Sequence, residues 1–287
     1  MRLCRFNDDR LGLVEGDGIL DVSAALGVLP SCTYPLPQHD LLVAHLPAVR
    51  AKVEELSANR AGLARHRIAD VRLLSPVANP GKVIAAPVNY LKHLQEARQD
   101  AAIHHQNQVG EIERVGLFLK ATSSIAGPSA TLTIAKPDRR NDHELELVAV
   151  IGKVGKHIRA ADAMSHVAGY CIGLDMTVRG PEERSMRKSP DGYTVLGPWL
   201  TTADEIEVGN LDLLMQVNGE VRQKANTRDL VIDLPGLIAM ASSYYTLHPG
   251  DLLMTGTPEG VSQVFAGDRM TGEISGLGRI DVDIARA

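Results

Sequence analysis

The sequence predicts a mixed, β-rich α/β protein with a small N-terminal α+β domain, and three observations carry that prediction. Strands predominate from Val115 onward. Apolar, β-branched runs at 115–120, 144–151, 167–174, 211–218, 252–255 and 278–284 are separated by turn signals such as Asn218-Gly219 and Pro249-Gly250-Asp251. Residues 1–72 read as a unit of their own, hairpin turns followed by a helical pattern. Between the two, Leu74-Ser75-Pro76-Val77-Ala78-Asn79-Pro80-Gly81 carries two prolines and a glycine, which neither a helix nor a central strand tolerates. The expected division is a small domain at 1–72, a linker at 73–81 and the main domain at 82–287.

In order, Met1–Phe6 and Leu11–Glu15 form a hairpin around Asn7-Asp8-Asp9-Arg10. A turn at Gly16-Asp17-Gly18 leads to a strand at Ile19–Val22. Leu41–Arg72 reads as helical. After the linker come a short strand at Lys82–Ala86 and a helix from about Asn89 to Arg98. Gln99–Arg114 is polar and weakly patterned, as expected of a mobile loop or lid carried on from the helix. His104 and His105 lie in it and receive no role. A helix is expected around 233–246, ending before Pro249.

Composition narrows the function classes. The chain has 287 residues, a net charge of −5 and no basic block, which argues against a nucleic-acid surface. No apolar run reaches the roughly 20 residues of a transmembrane helix, and the N-terminal residues show no apolar signal region. Cys4, Cys32 and Cys171 are few and widely spaced, without disulfide or zinc spacing, so a cytoplasmic protein is expected. No glycine-rich phosphate loop opens a helix, which argues against a nucleotide-dependent enzyme.

The segment His143-Glu144-Leu145-Glu146-Leu147-Val148-Ala149-Val150-Ile151 reads as a buried strand interrupted by two carboxylates. At i and i+2, Glu144 and Glu146 share a face, with Cα atoms about 7 Å apart, within reach of one cation. Asp175 ends the apolar run 167–174 and adds a third hard oxygen donor. Such a set, without clustered Cys or His, favours Mg²⁺ or Mn²⁺ over zinc. His93 and Glu96, at i and i+3 on the helix, share a face; a carboxylate on one imidazole nitrogen raises the basicity of the other. Lys120, Arg179 and Lys188 are cations able to hold a substrate carboxylate or an oxyanion. The turn Thr255-Gly256-Thr257-Pro258-Glu259-Gly260 can offer N–H groups and a hydroxyl to an anion.

Taken in order, these segments resemble the fumarylacetoacetate hydrolase superfamily. The resemblance rests on N-Y-x-x-H-x-x-E at 89–96, F-L-K at 118–120, H-E-L-E-L-V-A-V-I-G-K at 143–153 and G-Y-C-I-G-L-D-M-T-V-R at 169–179. It continues through R-K-S at 187–189, G-P-W-L at 197–200, V-N-G-E at 217–220, P-G-D at 249–251 and T-G-T-P-E-G-V at 255–261. It implies mixed β-sheets rolled around an active site, in a homodimer. It implies Mg²⁺ or Mn²⁺ on Glu144, Glu146 and Asp175, a His93–Glu96 dyad, and a substrate-contacting Lys188. Lys120 is set among the substrate-binding residues, with Arg179 and Thr257 matching the pocket lining. The activity implied is hydrolysis of a C–C bond in a 1,3-diketo 2-oxo acid such as an acylpyruvate or fumarylpyruvate, with water activated by His93 and a metal-stabilised enolate leaving. The same family decarboxylates oxaloacetate-like acids and isomerises or hydrates unsaturated 2-oxo acids of aromatic catabolism. A metal-binding structural protein on the same fold is the non-enzymatic alternative; the intact H-x-x-E pair argues against it. Gly180-Pro181-Glu182 and Gly260-Val261-Ser262 depart from the family pattern and bear on the substrate.

Overall fold

The computed structural model describes residues 1–104 and 109–285. Most strands lie in one large mixed sheet, flanked by a three-stranded and a four-stranded sheet. Its centre is the strand Leu145–Ile151, antiparallel to Val167–Asp175 on one side and to Leu252–Met254 on the other. Both faces of that strand are buried, as its near-continuous apolar run requires. Leu145, Leu147, Ala149 and Ile151 pack with Leu213, Met215 and Ile280 of the four-stranded sheet. Val148 and Val150 pack in a second cluster with Val49 and Val53 of the N-terminal helix Leu46–Ala58.

The six strand runs expected from 115 onward are all present. The run at 115–120 is shortened to Phe118–Lys120, because Ile112–Val115 is a helical turn. The longest strands not expected are Thr194–Thr202, Glu220–Asn226 and Arg269–Ile274. The first contains Pro198, which argues against a central strand. Its register against Val167–Asp175 jumps from Tyr170↔Thr201 to Ile172↔Gly197, so Pro198 falls in the irregularity.

The helical reading of 41–72 is corrected. Helices span Leu41–Ala44 and Leu46–Ala58, the chain turns through Gly62 at φ +86°, and Arg65–Arg67 is a strand. Its partner is Gly18–Asp21, a pairing across more than forty residues that no local propensity announces. The N-terminal hairpin Arg2–Phe6 and Arg10–Glu15 forms as expected. Arg2 and Leu3 pair with Thr201 and Leu200, so one sheet runs through both sides of the proline-rich segment 74–81.

Of the polar stretch 99–114, residues 105–108 (His105 among them) lie outside the described residues. What is described of it is partly helical, at Ala101–His104 and Ile112–Val115, and is anchored by the buried Gly110 and Ile112; the preceding helix Leu91–Gln99 buries His93, Leu94 and Ala97. Among the described residues no helix is long and apolar enough to cross a membrane.

Candidate active site

The strand expected at 144–151 is broken at its first residue. Asn141–His143 belongs to the three-stranded sheet, Leu145–Ile151 to the large one, and Glu144 sits between them. The neighbouring chain does the same: Leu174 pairs with Leu145 in the large sheet, and Thr177 pairs with Asp142 in the small one. The Asp175 N–H donates to the Glu144 carbonyl at 2.8 Å across this seam. Two strands that change sheets together thus leave Glu144, Glu146 and Asp175 around one point. A ligand oxygen from each lies within 4.8 Å of the others, and all three residues are buried.

The neighbours of the three carboxylates differ. Glu144 Oε1 accepts from Arg179 Nη2 at 2.9 Å and Thr177 Oγ1 at 3.1 Å, and its Oε2 accepts from Lys188 Nζ at 2.6 Å. Burial alone would raise the Glu144 carboxyl; the Lys188 and Arg179 cations hold it below the usual carboxylate range. Asp175 accepts from Lys188 at 2.6 Å and from Lys120 at 2.5 Å. Glu146 accepts from the Gly256 N–H at 2.8 Å. Burial, with Asp175 and Glu144 beside it, pushes its carboxyl well above the usual range. The turn expected to meet an anion therefore does so within the protein. Gly256 holds φ +95°, and a Cβ there would lie 2.8 Å from the Asn89 Cβ. Three buried carboxylates clustered this closely, all hard oxygen donors and one of them without a salt-bridge partner among the described residues, fit a divalent cation.

A cavity of about 530 Å³ opens at this seam, and His93, Glu144, Glu146, Arg179, Lys188 and Thr257 line it. His93 Nδ1 lies 2.8 Å from Glu96 Oε2, and Glu96 Oε1 accepts from the Gly260 N–H at 3.0 Å. A carboxylate facing Nδ1 puts the ring proton there and leaves Nε2 as the basic nitrogen. Gly260, at φ +92°, could carry no Cβ without meeting the Arg222 carbonyl oxygen at 2.0 Å. The dyad is thus tied to the 255–260 turn.

Three of the expected residues are placed differently from a simple substrate contact. Lys120 stands behind Asp175, bonded to it and to the Tyr193 carbonyl at 2.8 Å, and its side chain is fully buried. Burial pushes its ammonium pKa down, against the pull of Asp175. Lys188 has all three donors engaged, on Glu144, Asp175 and Thr177 Oγ1. Thr257 Oγ1 donates to the Leu145 carbonyl and accepts from Gln223 Nε2, so its proton is committed within the fold.

Several residues around the site were not singled out from sequence. Asp142 is fully buried and accepts from Arg179 Nε at 2.8 Å and Arg140 Nε at 2.7 Å, holding Arg179 in place. The signal was present, since Asp142, Glu144 and Glu146 continue one i, i+2, i+4 alternation. Arg184 and Arg187, on the turn of helix Arg184–Lys188, line the cavity as well. Asn89 is fully buried and pins the start of the His93 helix. Its Nδ2 donates to the Ile232 and Thr255 carbonyls, and its Oδ1 accepts from the Ile232 N–H. Asn89→Ala would leave the buried Thr255 carbonyl and the half-buried Ile232 N–H and carbonyl without this partner and should cost about 2–3 kcal/mol of stability. Denaturant unfolding of the variant checks this; a loss below about 1 kcal/mol would mean that the 231–232 loop relaxes around the gap.

Residues 82–285 match the family described as fumarylacetoacetate (FAA) hydrolase, C-terminal, and the chain belongs to that family. It is 55% identical to a maleylpyruvate hydrolase of Aquipseudomonas alcaligenes, over 99% of each chain. It is 36% identical to a mitochondrial oxaloacetate tautomerase of Xenopus laevis, over 98% of this chain and 89% of the relative. The crystal structure of a maleylpyruvate hydrolase from Sphingobium sp. SYK-6 in complex with manganese(II) and pyruvate superposes with a TM-score of 0.82. That protein is 41% identical, with 99% of each chain covered. The fold is therefore the family's, as the resemblance implied.

Proposed function

We propose that this protein is a divalent-metal-dependent hydrolase that cleaves a C–C bond of an acylpyruvate, maleylpyruvate and its fumaryl isomer being the type of substrate. The observation that carries the reading is an oriented imidazole on the wall of the same cavity that Glu144 and Glu146, two of three clustered buried carboxylates, line. The full-length similarity to maleylpyruvate hydrolases, one of them seen with manganese and pyruvate, supports it. Glu144, Glu146 and Asp175 would hold Mg²⁺ or Mn²⁺. The ion would supply Lewis-acid polarisation of the 2-oxo acid's carboxylate and keto oxygens.

The chain's own residues do the rest. Glu96 keeps the proton on His93 Nδ1, so Nε2 takes a proton from water, and the water oxygen bonds to the distal acyl carbon. Lys188 exchanges one of its carboxylate bonds for a substrate oxygen that gains charge. The C–C bond then breaks, the acyl part leaves as a carboxylic acid, and the His93 proton returns to the pyruvate carbon. Lys120 and Asp142 act one step back, positioning Asp175 and Arg179. The three free thiols fit a reducing compartment such as the cytoplasm, and the family resemblance supports a homodimer.

Incubating the manganese-loaded protein with maleylpyruvate in oxygen-18 water tests the reading. Pyruvate release with one labelled oxygen in the acid product is expected. Tautomerisation or decarboxylation would put no solvent oxygen into an acid product, and either result would replace the hydrolase assignment.

A further inference from the structure

The cations of the cavity wall are not equivalent. Arg179 is paired with Asp142 and Glu144, and Lys188 with Glu144 and Asp175. Arg187 is spent on backbone, donating to the Glu182 and Val178 carbonyls at 2.8 and 3.2 Å. Among the acids of the same wall, Glu182 is taken up by Arg139. Of these arginines and lysines, Arg184 alone makes neither a salt bridge nor a hydrogen bond among the described residues. Its guanidinium lies 5.4 Å from the centre of the Phe118 ring, while Lys188 Nζ lies 5.6 Å from the same ring.

Glu183, Glu144 and Asp175 are near enough to act on Arg184 electrostatically, yet burial dominates and pushes its pKa down. A half-buried guanidinium on a cavity wall, set against an aromatic ring and with no hydrogen bond among the described residues, is suited to a planar anion. Arg184 lines the same cavity as Glu144 and Glu146, so the tail of a 2-oxo acid held at the carboxylate cluster would extend along the wall that carries it.

We propose that Arg184 is a specificity residue that binds the distal carboxylate of the substrate, so that the cavity selects 2-oxo dicarboxylates over 2-oxo acids with a neutral tail. This rests on the reading of the cavity as a 2-oxo acid site and names the residue that reads the tail. Phe118 orients the guanidinium, and Arg187 fixes the helix that carries it. Discrimination follows from the site's own chemistry, since a neutral tail leaves a desolvated cation unpaired.

The test is calorimetric binding to the manganese-loaded protein of a length series of 2-oxo dicarboxylates and of the matching 2-oxo monocarboxylates. Natural protein should prefer the diacid at the matching length. R184M, which keeps the stacking bulk without the charge, should weaken diacid binding by about 100-fold and monoacid binding by less than about 3-fold. R184K, which keeps the charge without the fork, should fall between them. Equal losses for both acid classes, no loss for either, or no diacid preference in the natural protein would overturn the assignment. A parallel turnover assay separates the two readings. Diacid preference lost in R184M without any acylpyruvate cleavage by the natural protein would sink the hydrolase and keep Arg184. Cleavage whose diacid-to-monoacid kcat/KM ratio ignores R184M and R184K would do the reverse.

Discussion

Glu146→Ala is expected to lower Mn²⁺ affinity at least about 100-fold in calorimetric titration and to abolish activity, because one of three anionic ligands of a hard cation is gone. Glu144→Ala and Asp175→Ala should do the same through the same loss. The three differ in what they leave behind. Glu144 and Asp175 are bonded to Lys188, and Asp175 also to Lys120, so their removal strands a buried ammonium and should cost stability as well as metal. Glu146 makes no salt bridge to a lysine among the described residues; it accepts from the Gly256 N–H, and the pull of Lys188 does not outweigh burial and the like charge of Asp175. Glu146→Ala should therefore fold about as well as the natural protein without metal. Added Mn²⁺ should raise the melting temperature of the natural protein and leave that of the variant unchanged. Undiminished Mn²⁺ affinity in any one variant would remove that residue from the site.

His93→Ala should leave Mn²⁺ binding intact and lower kcat by roughly two to four orders of magnitude, as the loss of a general base does. Glu96→Gln should be milder. An amide at that position can still accept from Nδ1–H through its oxygen, but no longer carries the charge that stabilises the imidazolium. Steady-state kinetics with the metal-loaded variants decides between roles. If His93→Ala loses the metal instead, the imidazole is a ligand and the base lies elsewhere. If turnover survives His93→Ala, water activation is not its task, and a decarboxylation or tautomerisation gains ground.

Much of the carboxylate cluster could be read from sequence because it depends on alternation. Glu144 and Glu146 share parity on one extended segment, and the facing of i and i+2 side chains survives even though the sheet changes at Glu144. The His93–Glu96 pair likewise needs only one helix of the right phase. The strand Thr194–Thr202 was missed because a proline that forbids a regular ladder is accommodated at a register jump, which exists only once Val167–Asp175 is alongside. The false helix near residues 59–72 fails for a related reason. Local propensity there is outweighed by pairing of Arg65–Arg67 with a strand far back in the chain.

By itself, then, the sequence determined the chemistry that could be assembled: three hard oxygen donors, one imidazole with its carboxylate, and a mostly aliphatic core of alternating strands. Each depends on residue type and on spacings within a single element, where covalent geometry sets which side chains face together. Only the tertiary structure decided how that chemistry is divided. It placed the carboxylates at the seam where two strands leave the large sheet, put Lys120 behind Asp175 rather than on the cavity wall, and committed the Thr257 hydroxyl to the Leu145 carbonyl. It also left Arg184 on the cavity wall with neither a hydrogen bond nor a salt bridge among the described residues, while Arg187 is held by backbone carbonyls. Which charge is neutralised and which is left to a ligand depends on contacts between segments far apart in the chain, and no periodicity within one segment encodes them.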